Sequence, residues 1–121
     1  MKILVIDDSM TMRKIIGAAL KDLGHEVIEA VNGKVGLEVA KSQVGLTAVL
    51  VDWNMPEMNG YEFIVAMRAD EKLKTTPIAM LTSETDIDNR EKAIKAGANV
   101  FITKPFTKDV IREKLALLVP T

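Results

Sequence analysis

The sequence predicts an α/β fold: a single five-stranded parallel sheet with helices on both faces. Three observations carry that prediction. Five short apolar runs are spread along the chain, three of them unbroken by any polar residue. Unbroken short runs suit strands buried on both sides, as in a parallel sheet. Helical periodicity follows each run, and strands alternating with helices imply βαβ units with right-handed crossovers. The length of 121 residues suits one domain, spanning 1–121.

The elements follow in order. Ile3-Leu4-Val5-Ile6 is the first strand. Met12, Ile15, Ile16, Ala19, Leu20 and Leu23 then recur with helical spacing, Ser9 stands where an N-cap belongs, and Gly24 stands where a left-handed C-terminal cap belongs. Val27-Ile28 is the second strand, and Leu37, Ala40 and Val44 mark the second helix. Ala48-Val49-Leu50-Val51 is the third strand, followed by a short helix on Phe63, Ile64 and Met67. Ile78-Ala79-Met80-Leu81 is the fourth strand; its helix carries Ile87 and Ile94 and is closed by Gly97. Val100-Phe101-Ile102 is the fifth strand. Ile111, Leu115 and Leu118 mark the last helix, with Thr107 as its N-cap and Pro120 beyond its end.

Composition narrows the function. There are no cysteines, which excludes disulfides and thiolate metal sites, and the single histidine, His25, cannot build a zinc site alone. His25 is expected to be exposed and without a role. Sixteen basic against 17 acidic residues leave a net charge of −1, so nothing points to nucleic acid. No run approaches the ~20 apolar residues of a membrane span, and no signal-peptide pattern opens the chain, so a cytoplasmic location is expected. The seven methionines are expected as core filler.

Ligand chemistry in such sheets sits beyond the carboxyl ends of the strands. There the first strand delivers Asp7 and Asp8, the third Asp52, the fourth Thr82 and Ser83, and the fifth Thr103, Lys104 and Pro105. Taken singly, each has an ordinary reading: a helix cap, a turn residue, a loop hydroxyl, a solvated lysine. Taken together they fall at one edge of one sheet. Three carboxylates in one place repel unless a cation joins them, and oxygen-only ligands suit Mg2+. A carboxylate can also act as the nucleophile that forms an aspartyl phosphate. Mg2+ and Lys104 would supply the positive charge that phosphoryl transfer needs, and Thr82 could donate to a phosphoryl oxygen.

The segments ILVIDDS (residues 3–9), VDWNMPEMNG (51–60), the pair Thr82-Ser83 and TKPFT (103–107) resemble the response-regulator receiver family, in its chemotaxis branch. The resemblance spans essentially the whole chain. It implies a (βα)5 flavodoxin-like fold with strand order 2-1-3-4-5. It also implies that Asp52 is the phosphoacceptor, that Asp8, Asp52 and the Asn54 carbonyl bind Mg2+ with Asp7 helping through water, and that Thr82 and Phe101 are switch residues. The same resemblance implies that Lys104 pairs with the phosphoryl group, that its bond to Pro105 is cis, and that Asn54 and Glu84 tune dephosphorylation. Phe101 departs from the chemotaxis pattern, which usually has tyrosine there. Implied partners are a chemotaxis-type histidine kinase and a downstream target such as the flagellar motor switch; the chain itself is expected to be a monomer that turns over no metabolite.

Three rivals stand beside this reading. A receiver domain cut from a longer regulator with a DNA-binding or enzymatic output domain fits the same residues. A flavin-binding protein of this fold would need a Ser/Thr/Gly-rich loop after the first strand, where Asp7-Asp8-Ser9 stands instead. A Mg2+-dependent phosphohydrolase with an aspartate nucleophile would place a second acid two residues after Asp52, where Asn54 stands.

Overall fold

Each apolar run becomes a strand and each periodic segment a helix. The computed structural model describes residues 1–53, 55, 58–83, 87–104 and 106–119. The elements are β1 (Lys2–Ile6), α1 (Met10–Asp22), β2 (Glu26–Ala30), α2 (Gly33–Ser42), β3 (Ala48–Asp52), α3 (Gly60–Ala69), β4 (Ile78–Ser83), α4 (Ile87–Ala96), β5 (Val100–Lys104) and α5 (Lys108–Leu118). Side chains in α4 are described from Arg90 onward. The strands pair in parallel in the order β2-β1-β3-β4-β5, as expected.

The sheet is buried on both faces, and strand alternation sorts its side chains into two cores. Leu4, Ile6, Val49, Val51, Ile78 and Met80 meet α2, α3 and α4 through Ala40, Phe63, Ile64, Met67 and Ala93. Ile3, Val5, Ala48, Leu50, Ala79, Leu81 and Ile102 meet α1 and α5 through Ile16, Leu20, Ile111, Leu115 and Leu118. Helix ends are capped where the sequence predicts. The Ser9 hydroxyl accepts from the Met12 amide and the Thr107 hydroxyl from the Val110 amide. Gly24 takes φ 93° and Gly97 φ 124°, in the left-handed region that favours glycine.

Several helix positions differ from expectation. Ile15 is 53% exposed, because α1 buries the narrower stripe of Ile16, Gly17 and Leu20. Val44 lies outside α2 and is 84% exposed: Gln43 turns extended at ψ 140°, and the chain then bends at Gly45 with φ 77°. In α4 the core contact is Ala93, while Ile94 is half exposed. The α3 helix is as long as α2 and α4, since the capping box of Asn59 and Glu62 starts it three residues before Phe63. Met67 and Met80 are core, but Met10 is 64% exposed. His25 is only partly exposed, and its Nδ1 lies 3.2 Å from the amino terminus. The Pro120 expectation lies outside the described residues.

Candidate phosphoryl-transfer and cation site

Register builds the site. Ile6 of β1 pairs with Val51 of β3, so the next residue on each strand, Asp7 and Asp52, lie side by side. Alternation then settles the faces. Asp7 and Asp52 share the parity of Val5 and Leu50, and Lys104 that of Ile102; all three fall on the α1/α5 side. Thr82, Phe101 and Thr103 have the opposite parity, the side of α2, α3 and α4.

Carboxylate oxygens of Asp7, Asp8 and Asp52 lie within 4.8 Å of one another. Asp7 is 1% exposed and Asp52 7%, whereas Asp8 is open to solvent. The Lys104 ammonium donates to Asp52 Oδ1 at 3.2 Å and reaches Asp7 Oδ2 at 3.5 Å. One lysine against three acids leaves the cluster net negative. Burial pushes the Asp52 carboxyl above the ordinary carboxylate range; the Asp7 charge adds to this and the Lys104 ammonium opposes it. An all-oxygen donor set with uncompensated negative charge fits a hard divalent cation such as Mg2+. Asp8, exposed beside two buried acids, is the carboxylate most open to an arriving ion.

Every polar group of Asp7 is held. Its N–H donates to the Ala30 carbonyl at 3.2 Å, and its Oδ1 accepts from the Ser9 amide at 2.9 Å. Its carbonyl accepts from Arg13 Nη1 at 2.7 Å. Arg13 in turn donates to Glu29 of β2 at 3.3 Å. Neither residue carries a signal in the sequence. Glu29 pairs in register with Val5, hence faces α1, and stands two contacts from Asp7.

Thr82 is buried, 1% exposed, and its hydroxyl donates to the Ser83 carbonyl at 3.3 Å. Phe101 is half-buried with the Arg90 guanidinium 5.8 Å from its ring centre, and Arg90 Nη2 donates to the Thr103 hydroxyl at 2.9 Å. Arg90 is likewise silent in the sequence, because a lone arginine on a polar helix gives no signal. Trp53, directly after Asp52, is buried edge-to-face on Tyr61, with centroids 6.1 Å apart. Asn54, Glu84 and Pro105, expected as ligand, tuning residue and cis proline, lie outside the described residues.

Known proteins match this arrangement along its length. The chain is 44% identical over 122 residues to chemotaxis protein CheY1 of Helicobacter pylori strain J99, covering all of this chain and 98% of that one. It superposes on the chemotaxis protein CheY4 of Vibrio cholerae with a TM-score of 0.91 at 34% identity, over 98% of each chain. The receiver domain of sensor histidine kinase PA1611 from Pseudomonas aeruginosa, solved with a magnesium ion coordinated in its active-site cleft, aligns with a TM-score of 0.90 at 28% identity, over 99% of this chain and 98% of that one. The response regulator receiver domain matches residues 3–116, and the chain belongs to that family.

Proposed function

We propose that the protein is a phospho-accepting switch of a two-component system, acting in chemotaxis, with Asp52 as the acceptor. The observation that carries this is the Asp52 carboxylate itself, at the end of the central strand and beside two further acids and a lysine. One Asp52 oxygen attacks the phosphorus of a phosphohistidine on a partner kinase. The P–N bond breaks, the imidazole leaves with the electron pair, and an acyl phosphate remains. Asp8 and Asp52, with the Asn54 carbonyl and with Asp7 assisting, are the residues that would hold Mg2+, which would supply charge neutralisation for the incoming phosphoryl group. Lys104 then exchanges its Asp52 contact for a phosphoryl oxygen, and Thr82 turns its hydroxyl from the Ser83 carbonyl to another. Phe101 follows inward, and the face of α4, β5 and α5 changes its affinity for a target, of which the flagellar motor switch is one. The family resemblance assigns Asn54 and Glu84 the tuning of dephosphorylation, and both lie outside the described residues.

The chemotaxis relatives support the pathway, and the magnesium in the PA1611 receiver supports the metal. In this reading the domain, residues 1–121, is a cytoplasmic monomer that catalyses only its own phosphorylation and dephosphorylation. Among the described residues no helix is long and apolar enough to cross a membrane.

Asp52→Asn is expected to abolish phosphorylation by acetyl phosphate with Mg2+, read by intact mass. Stoichiometric phosphorylation of that variant would reassign the acceptor.

A further inference from the structure

Arg13 touches the β1–α1 turn twice. Its backbone N–H donates to the Ser9 carbonyl at 3.0 Å, and its guanidinium donates to the Asp7 carbonyl at 2.7 Å. The other edge of the guanidinium holds Glu29 Oε1 at 3.3 Å, and Lys14 holds Glu29 Oε2 at 3.0 Å. The Arg13 and Glu29 side chains are only 14% and 24% exposed, whereas Lys14 is 66% exposed. The two hydrogen-bonding edges of a planar guanidinium diverge, so arginine can join a backbone carbonyl to a carboxylate where lysine offers a single point.

We propose that Glu29 and Arg13 form a brace from β2 to the β1–α1 turn that sets the positions of Asp7 and Asp8 for Mg2+, making both positioning residues of the cation site. The inference rests on the reading of the acidic cluster as a Mg2+ site. Without the brace the Asp7 carbonyl loses its charged donor, and the peptide joining Asp7 to Asp8 is held less tightly. That peptide carries both acids. Mg2+ demands near-ideal octahedral geometry, whereas Ca2+ accepts longer and irregular contacts. A loosened turn therefore penalises Mg2+ more than Ca2+.

Simple electrostatics predicts the opposite sign. Arg13 is a cation close to the cluster, so its removal should tighten both divalent ions by similar factors. The two accounts separate in one experiment. Trp53, the only tryptophan, reports on the cluster beside it. Wild type, Arg13→Met, Arg13→Lys, Glu29→Ala and Lys14→Met are titrated with Mg2+ and with Ca2+, following Trp53 emission, after thermal melts without metal confirm that each is folded. Outer contacts to metal ligands typically carry about 10-fold or more in affinity. Arg13→Met and Glu29→Ala are expected to weaken Mg2+ by about 10-fold and Ca2+ distinctly less. Arg13→Lys should fall between Arg13→Met and wild type, and Lys14→Met should stay near wild type. Unchanged or tighter Mg2+ binding in Arg13→Met, or equal loss for the two ions, overturns the brace. A wild-type protein with no Mg2+ response overturns the metal reading itself, and the brace with it.

Discussion

The two faces of the sheet end differently at the same edge. On the α1/α5 side, Asp7 has a partner for each of its polar groups, drawn from β2, the β1–α1 turn, α1 and β5, and Asp52 is tied to Lys104. On the α4 side, the Thr82 hydroxyl reaches its neighbour's carbonyl at 3.3 Å, and Phe101 is half-buried beneath Arg90. Arg90 Nε is buried with no hydrogen-bond partner among the described residues. The first side holds its acids through charged contacts. The second holds its groups by contacts that exchange at little loss. A neutral hydrogen bond nets about 0.5–1.5 kcal/mol, and one to a charged group about 1.5–3 kcal/mol. In the proposed switch Thr82 would therefore gain by leaving the Ser83 carbonyl for a phosphoryl oxygen, whereas Asp7 would gain nothing by moving.

That contrast can be broken or sharpened by measurement. The largest effect is expected from the metal. Mg2+ at 100 times its Kd should stabilise the folded protein by about 2.7 kcal/mol. Thermal melts should show a concentration-dependent rise in Tm, with hydrogen exchange slowed at residues 7–9 and 52–53 rather than at Phe101. Slowing spread evenly to β5 would dissolve the distinction between the sides.

Next comes Thr82→Ala. It should accept phosphate yet lose about 1.5–3 kcal/mol of the drive toward the active form. A full switch from 1:99 to 99:1 needs about 5.5 kcal/mol, so the loss should leave the phosphorylated variant incompletely switched, roughly 40–90% active instead of 99%. An undiminished NMR shift pattern on phosphorylation would place the coupling elsewhere.

Smaller still is Arg90→Met, which removes a cation–π contact of roughly 0.5–2 kcal/mol. Phe101 should then exchange more freely between positions, read as broadened ring resonances, with phosphorylation unaffected. Sharp, unshifted resonances would make Arg90 irrelevant to the switch.

The fourth effect is read as a sign. The folded protein holds the Asp52 proton more tightly than the unfolded chain, chiefly through burial. Stability from this group is therefore present below the unfolded carboxylate value of about 3.9 and lost as pH rises through the raised folded value. Asp52→Asn escapes that loss. In urea titrations without metal, its stability advantage over wild type should widen from pH 4 to neutrality. A gap that stays constant would mean that Lys104 fully offsets the burial of Asp52.

Much of the fold and most of the acidic site are legible in the sequence. Unbroken apolar runs mark the strands, and Ser9, Thr107, Gly24 and Gly97 mark helix ends through local chemistry that needs no distant partner. Asp7, Asp8, Asp52, Thr82 and Lys104 stand out because charge and hydroxyls at the ends of buried strands demand a reason. Ile15, Val44 and Ile94 mislead because helical spacing says which residues share a face, not how wide a stripe the neighbouring sheet covers.

The sequence by itself determined the elements, their order and the polar groups at the strand ends, since each follows from spacing within a few residues. Only the tertiary structure decided which groups meet. Strand register put Asp7 beside Asp52, and strand parity sent Lys104 to one face and Thr82 and Phe101 to the other. Arg13 and Glu29 were unreadable for the same reason. They are 16 residues apart, on a helix and a strand, and nothing local to either announces the Asp7 carbonyl that joins them to the site. Pairing across a sheet is a relation between distant segments, and it exists only once the strands have packed.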